Sequence, residues 1–387
     1  MKKIAVIFGT RPEAIKLAPL VLELKRCRGL ACRVCVTGQH REMLAQALAI
    51  FGMVPDVDLK LMRPGQRLAD LTSRMIAALD KFIVKEAPDL VLVQGDTTTT
   101  LCAALAAFYN KVPVGHVEAG LRTWELSSPW PEEANRTMVS RISTLHFAPT
   151  EANRRNLLRE NIPAEIIHVT GNTGVDSLLL ILKRLAASEP EIPGLSSDTL
   201  RAWKGRKVVL ITAHRQESFG RKLESICQAI RLLARRFPEA RFVYPVHLNP
   251  NVRKPVLALL AKDPNIHLLP PLSYLPFVAL LRRCDILLTD SGGLQEEAPT
   301  LHKPILVMRD HTERMEAVRA GAARMVGTSR ARIVREASEL LTSRKAYEAM
   351  AHSRNPFGDG LAAERIVRVC LDHLGVSARR LPPGNRT

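Results

Sequence analysis

Short apolar runs of strand character alternate with longer helical stripes along almost the whole 387-residue chain, and this alternation constrains the fold more than any other feature. In the first half the runs cover residues 3–8, 33–37, 90–94, 112–117, 145–148 and 166–170. Between them lie stripes such as Leu17, Leu20, Val21 and Leu24, or Leu68, Leu71, Met75, Leu79 and Phe82, with the three-to-four spacing of an amphipathic helix. A second series follows the Pro- and Gly-bearing stretch at 188–198, with runs at 207–212, 241–246, 266–269, 286–289, 304–308 and 324–326. The expected fold is α/β: two doubly wound Rossmann-like domains of parallel sheet, with a ligand cleft between their strand ends. Residues 1–172 form the first domain and 173–361 the second. A helical pattern at about 362–374 crosses back onto the first, and 375–387 is expected to be a disordered tail.

With 46% hydrophobic residues the chain can bury two cores. Its formal net charge of +18 suits an anionic partner, either a phosphorylated small molecule or a nucleic acid. The basic residues are dispersed and only 4% of the chain is aromatic, which argues against nucleic acid. Seven cysteines at irregular spacing, an odd count, argue against a disulfide framework and for a reducing, cytoplasmic compartment. Cys32 and Cys35 form a C-x-x-C on a strand candidate, where residues three apart face opposite ways and chelate poorly. His116-Val117-Glu118 matches the H-x-E of zinc deaminases but lacks the accompanying P-C-x-x-C, so no bound metal is expected. The first ten residues read as a strand and not a signal peptide, and no stretch reaches the roughly 20 apolar residues of a membrane span. Neither G-x-G-x-x-G nor G-x-x-x-x-G-K-[ST] occurs, which weakens both a dinucleotide oxidoreductase and a P-loop NTPase.

Five segments placed where strand candidates end carry the chemistry: GTRPEAIK from Gly9, GDTTTT from Gly95, VEAGLRT from Val117, AHRQES from Ala213 and TDSGGLQEEAP from Thr289. Arg11 and Lys16 can meet a phosphate beside a helix N-terminus that Pro12 helps to start; the plainer reading is an N-cap with a solvated lysine. Asp290-Ser291-Gly292-Gly293 is the same device in the second half, with Glu297 one turn on, able to accept from ribose hydroxyls. There the plainer reading is Asp290 or Ser291 capping the following helix, and the two are compatible. Asp96, Glu118 and Glu132 are acids on three separate segments of the first half. Any one of them alone would more often be a cap or salt-bridge partner. His214, just after a strand candidate, is a cation or acid for a diphosphate leaving group.

FGTRPEAIKLAPL, GQHREML, QGDTTTTL, VGHVEAGLRT, PWPEEANR, TGNT, AHRQESFG, YPVHLNPNVR, LTDSGGLQEEAP and NPFGDG, in this order from about Lys3 to Leu371, resemble the non-hydrolysing UDP-N-acetylglucosamine 2-epimerase family. The resemblance implies a glycosyltransferase-B type fold and, as its usual state, a homodimer. It also implies interconversion of UDP-GlcNAc and UDP-ManNAc without NAD or metal, for bacterial surface polysaccharide synthesis. By the same resemblance Asp96, Glu118, Glu132 and His214 are the catalytic counterparts. Arg11, Lys16, Ser291, Gly292, Gly293, Glu297 and Arg314 match positions that hold UDP, Phe277 matches a uracil-pocket residue, and Leu272 stands where some members have glutamine. Gln39, Gln66, Arg215 and His247 fall in segments where bacterial members bind an activating second UDP-GlcNAc. Met315 and Gln216 depart from the common proline and arginine without removing a catalytic group. The nearest alternative is a 2-epimerase of a modified UDP-sugar such as a 2,3-diacetamido uronic acid. A glycosyltransferase of the same fold, a UDP-sugar-binding regulator and the hydrolysing branch, which would release free ManNAc, stand further off.

Overall fold

The computed structural model describes residues 1–38, 41–63 and 65–377, the side chains of 41–43 excepted. The chain divides into two compact units, Met1–Leu180 with the chain from Phe357 onward, and Ile181–Pro356.

The first unit is built on a seven-stranded sheet: β1 (Lys2–Phe8), β2 (Leu30–Val36), β3 (Val57–Asp58), β4 (Leu90–Gln94), β5 (Val114–Val117), β6 (Leu145–Ala148) and β7 (Ile167–Val169). The spatial order is β3-β2-β1-β4-β5-β6-β7, with every pairing parallel. The second unit holds β8 (Val208–Thr212), β9 (Arg241–Pro245), β10 (Ile266–Leu269), β11 (Ile286–Thr289), β12 (Ile305–Val307) and β13 (Ala323–Met325), again all parallel, in the order β10-β9-β8-β11-β12-β13. All residues of β4 and β8 are buried, as expected of parallel strands covered by helices on both faces. In each sheet the strand order reverses once at the centre, between β1 and β4 and between β8 and β11. A ligand crevice forms at such a reversal, because the flanking connections leave towards opposite faces.

The helical stripes read from the sequence form the cores. Leu17, Leu20, Val21 and Leu24 are fully buried on helix Arg11–Leu24. Leu71, Met75, Leu79 and Phe82 are buried on helix Leu68–Glu86, whereas Leu68 is exposed because it opens that helix. Each such buried Leu contributes roughly 1.5–3 kcal/mol of apolar transfer free energy. In the second unit Ile226, Ile230 and Leu233 of helix Arg221–Arg236 pack with Phe242 and Tyr244 of β9. β3 has no counterpart among the sequence-derived strands: it is two residues long and exists only by pairing with Cys35 and Val36.

The unit boundary lies at Leu180 and Ile181, not after Asn172, and the chain rejoins the first unit at Phe357, not at Ala362. Hydrogen bonds explain both shifts. Asn172 N donates to Phe357 O (2.7 Å), and Ser177 Oγ donates to Ile15 O (2.5 Å). The buried Asp176 carboxylate accepts from Ala363 N (2.8 Å) at the start of helix Ala362–His373. Burial pushes the Asp176 carboxyl up to about 6, against the pull of the backbone donors. The folded state therefore holds this proton more tightly than the unfolded chain. The Asp176 contribution to stability is greatest at low pH and is lost as pH rises from about 4 to about 6. We expect the stability of the wild type relative to Asp176→Asn to fall across that interval by up to about 3 kcal/mol and to stay level above it. Urea unfolding at pH 4, 5, 6 and 7 measures this, and a flat difference would show that Asp176 keeps an ordinary carboxylate affinity.

Candidate active site

At the first reversal the loop after β1 meets the loop after β4. Thr10 caps helix Arg11–Leu24 in a capping box: its hydroxyl accepts from Glu13 N (3.4 Å), and Glu13 Oε2 accepts from Thr10 N (2.7 Å). Glu13 Oε2 also accepts from Gly9 N (3.1 Å), while Oε1 accepts from the Thr97 and Thr100 hydroxyls (2.8 and 3.3 Å). One buried carboxylate thus ties both loops together, its affinity for a proton raised by burial. A Cβ on Gly9 would lie 2.3 Å from Thr37 Oγ1 and 2.4 Å from Thr99 Oγ1, so only glycine lets β1 turn here. The N-cap half of the plainer reading is realised but its solvated lysine is not, since Lys16 pairs with Glu118; the cap leaves Arg11 available, its half-buried guanidinium having no ion pair among the described residues and a hold on its proton lowered by burial.

Glu118 follows β5 with φ +64°, a left-handed backbone that a glutamate adopts only under constraint from its surroundings. Its side chain is buried. Oε1 accepts from Asn172 Nδ2 (2.9 Å) and pairs with the Lys16 ammonium, and Oε2 accepts from Gln94 Nε2. Lys16, which the sequence assigns to phosphate, is here beside a carboxylate. Asp96, beyond β4, is half-buried: Oδ2 is held by Arg136, and its carbonyl accepts from Asn135 Nδ2 (2.9 Å). Arg136 is buried and its Nη1 donates to Glu133 Oε2 (3.0 Å). Glu133 Oε1 in turn accepts from Thr123 and Trp124 N (both 3.0 Å), fixing the loop before helix Glu132–Ile142. Glu132 opens that helix, half-buried. Asp96 and Glu132 are thus linked through the Arg136-bearing helix, and Glu118 is linked to the strand bearing Asp96 through Gln94.

His116 is fully buried and its Nε2–H donates to Gly95 O (2.7 Å), with burial pushing its proton affinity down to about 4. This neutral imidazole supports the loop that carries Asp96. Cys32 and Cys35 sit on β2 as free thiols pushed up to about 12 by burial.

In the second unit the loops after β8 and β11 meet at the other reversal. Asp290, fully buried, accepts at Oδ2 from His214 N (2.6 Å) and Arg215 N (2.8 Å). Neither Asp290 nor Ser291 caps helix Gly292–Glu297 through a side-chain bond, so the capping reading of this segment does not hold; the aspartate serves the neighbouring loop instead. Arg314 Nε donates to Glu296 Oε1 (2.9 Å), and its guanidinium covers Gly292, where a Cβ would come within 2.8 Å. Glu297 Oε1 accepts from Tyr274 Oη (3.1 Å), both groups buried, with the tyrosine hydroxyl pushed well above its ordinary range by burial. Leu272 is buried before helix Tyr274–Arg283, on which Phe277 is half-buried. The His214 ring stacks on His247 (5.5 Å between centroids, 15° between planes). Arg215 is adjacent in the chain. Gln66 accepts at Oε1 from Arg63 N (3.2 Å) and from Arg74 in the first unit, and Gln39 lies outside the described residues.

Glu13, Gln94, Arg136, Glu133, Asn172 and Tyr274 complete these clusters without having been assigned roles from sequence, and Asp290 does so in a role other than the cap expected of it. The T-x-x-E of Thr10–Glu13 was a legible signal for the first; the remainder depend on long-range contacts.

The fold is that of a two-unit α/β enzyme of glycosyltransferase-B type, with carboxylates at one sheet reversal and a Gly-Gly helix start covered by Arg314 at the other. The chain belongs to the UDP-N-acetylglucosamine 2-epimerase family, whose model matches residues 22–371. It is 52% identical over 365 residues to the UDP-N-acetylglucosamine 2-epimerase of Escherichia coli K12, covering 94% of this chain and 97% of that one. The structure of the Neisseria meningitidis UDP-GlcNAc 2-epimerase bound to UDP-GlcNAc superposes with a TM-score of 0.88 at 47% identity, covering 96% of this chain and all of that one. The Methanocaldococcus jannaschii UDP-GlcNAc 2-epimerase, solved with UDP-GlcNAc and UDP, gives a TM-score of 0.80 at 32% identity, with 96% and 99% covered.

Proposed function

We propose that this protein interconverts UDP-GlcNAc and UDP-ManNAc by elimination of UDP and its re-addition. The C2 proton of the sugar has no neighbouring carbonyl to acidify it. As the C1–O bond to UDP breaks, positive charge at C1 acidifies that proton. A carboxylate takes it, and the C–H electron pair forms the C1=C2 bond of 2-acetamidoglucal. UDP then returns to C1 while C2 receives a proton on the opposite face. Such a reaction needs acid–base groups for both faces and a clamp on the diphosphate.

The observation that carries this reading is Glu118, a buried carboxylate at a strand end, in a left-handed backbone, held by Lys16, Gln94 and Asn172. With Asp96 and Glu132 it supplies the acid–base set, and His214 meets the leaving diphosphate. Arg11, Lys16, Ser291, Gly292, Gly293 and Arg314 hold UDP phosphates, Glu297 takes the ribose, and Phe277 with the Leu272 backbone takes the uracil. Arg11, with no ion pair among the described residues, and the ordered Glu297–Tyr274 pair favour these roles. The same reading includes an activating second UDP-GlcNAc near Gln39, Gln66, Arg215 and His247. It also includes a cytoplasmic location, favoured by the odd count of seven cysteines at irregular spacing, and a homodimer, favoured by exposed Val84, Phe108 and Tyr109 on helices Leu68–Glu86 and Thr98–Tyr109.

Proton NMR of the purified protein with UDP-GlcNAc in D2O, without added NAD or metal, tests the reaction. UDP-ManNAc carrying deuterium at C2 is the expected product; unchanged substrate or free ManNAc would overturn the reading. A second expectation concerns the phosphate turn. Gly292→Ala forces Arg314 away from Glu296 and weakens UDP binding about tenfold, near 1.4 kcal/mol. Gly293→Ala, where a Cβ meets nothing within 4 Å, leaves Arg314 in place. Calorimetric titration of UDP into both variants distinguishes them, and equal affinities would remove Arg314 from the phosphate site.

A further inference from the structure

We propose that Asp290 is a positioning residue that sets the tautomer and orientation of the His214 imidazole. The proposal rests on the reading of His214 as the group facing the diphosphate. Asp290 directly follows β11 and reaches across the sheet reversal to the end of β8, where the Thr212 and Thr289 hydroxyls also meet at 2.6 Å. Its two carboxylate oxygens are used differently. Oδ2 accepts from the backbone N–H groups of His214 and Arg215 and fixes the loop. Oδ1 accepts no hydrogen bond among the described residues, although the carboxylate is fully buried, and lies 3.4 Å from His214 Nδ1.

A buried carboxylate oxygen left without a donor is costly, and the nearby imidazole Nδ1 can supply one. A small ring rotation would bring Nδ1–H onto Oδ1, and bonds of this kind are often long in the ligand-free state and tighten when substrate binds. The imidazole would then present Nε2 away from Asp290. Once protonated, it donates Nε2–H to a diphosphate oxygen while Nδ1–H stays on Asp290. The side chain is 41% exposed, so Nε2 can meet a ligand, and the near-parallel His247 ring limits how far His214 can swing.

A purely structural role predicts something different, which makes the test direct. Asparagine retains a carbonyl oxygen able to accept both backbone N–H groups, so Asp290→Asn preserves the loop cradle. Its second atom is an amide donor, which forces Nδ1 of the histidine to become the acceptor and moves the proton to Nε2.

The first measurement is the nitrogen-15 spectrum of the neutral histidines in the UDP-bound full-length wild type, with His214 assigned by its loss in His214→Asn. The Nδ1–H tautomer is expected; the Nε2–H tautomer in the wild type would overturn the proposal, whether or not any variant folds. In Asp290→Asn the tautomer is expected to switch. The kcat should fall by about ten- to a hundredfold, the range for groups that orient a histidine, with KM changed less than about twofold. An unchanged tautomer with unchanged kcat would leave Asp290 as a loop support only. If His214→Asn itself turns over normally, the reading of His214 fails, and the tautomer measurement still decides what Asp290 does.

Discussion

Glu118→Gln is expected to lower kcat by about two to four orders of magnitude, the range for loss of an acid–base group in the transition state. The substitution keeps side-chain length but replaces an oxygen that accepts hydrogen bonds with an amide that donates them. Asn172 Nδ2, Gln94 Nε2 and the Lys16 ammonium all point donors at this carboxylate. A glutamine cannot satisfy all of them, and Lys16 loses its counter-charge. Exchange of the C2 proton with D2O should fall in parallel with turnover, because both need the same proton transfer. KM for UDP-GlcNAc should move by less than about threefold if the carboxylate acts chiefly in the transition state. The fold should survive, since the core beneath β5 is unchanged; circular dichroism and thermal unfolding check that. A variant with more than a tenth of wild-type kcat would remove Glu118 from the chemistry and shift attention to Asp96 and Glu132.

Arg136→Met should cost about 3–5 kcal/mol of stability, as expected when one partner of a buried ion pair is removed and the other remains. Arg136 joins Asp96 to Glu133, with the Arg136 and Glu133 side chains 5% and 2% exposed. Without the guanidinium, Glu133 keeps among the described residues its two backbone donors, from Thr123 and Trp124. Methionine fills much of the arginine stem's volume, so the loss reports the charge and its hydrogen bonds more than a cavity. Arg136→Lys should fall in between, because a lysine restores the charge but cannot reach both carboxylates with one planar fork. Urea unfolding of the three proteins at pH 7 gives the comparison. A Met variant within about 1 kcal/mol of wild type would show that water satisfies both acids. The Met variant should also lose turnover, since Asp96 would no longer be held beside β4.

Glu118, Asp96 and His214 were nominated because each follows an apolar strand-like run, and strand ends are where parallel α/β sheets gather their ligands, whereas Glu132 was nominated from a proline-framed segment that opens a helix. Gln94, Asn172 and Arg136 were not. Gln94 reads as the last residue of a buried strand, Asn172 as part of a turn, and Arg136 as one cation among many on an amphipathic helix. Their roles come from partners distant in sequence: Asn172 reaches Glu118 across 54 positions, and Arg136 reaches Asp96 across 40. The Asp290 reading shows the same limit from the other side. Local rules nominate it or Ser291 as the cap of the next helix, whereas the carboxylate serves a loop 75 and 76 positions away.

What the chain's own pattern determined was the alternation of strand and helix, the doubly wound class, the buried stripes and the strand-end segments, because these follow from side-chain period and from glycine, proline and capping residues close in sequence. The tertiary structure alone decided the order of strands about each reversal, the pairing that creates β3, the boundary inside helix Thr173–Ala187, and which donor meets which buried carboxylate. Those outcomes depend on hydrogen bonds and burial between residues far apart along the chain, for which no local periodicity leaves a trace.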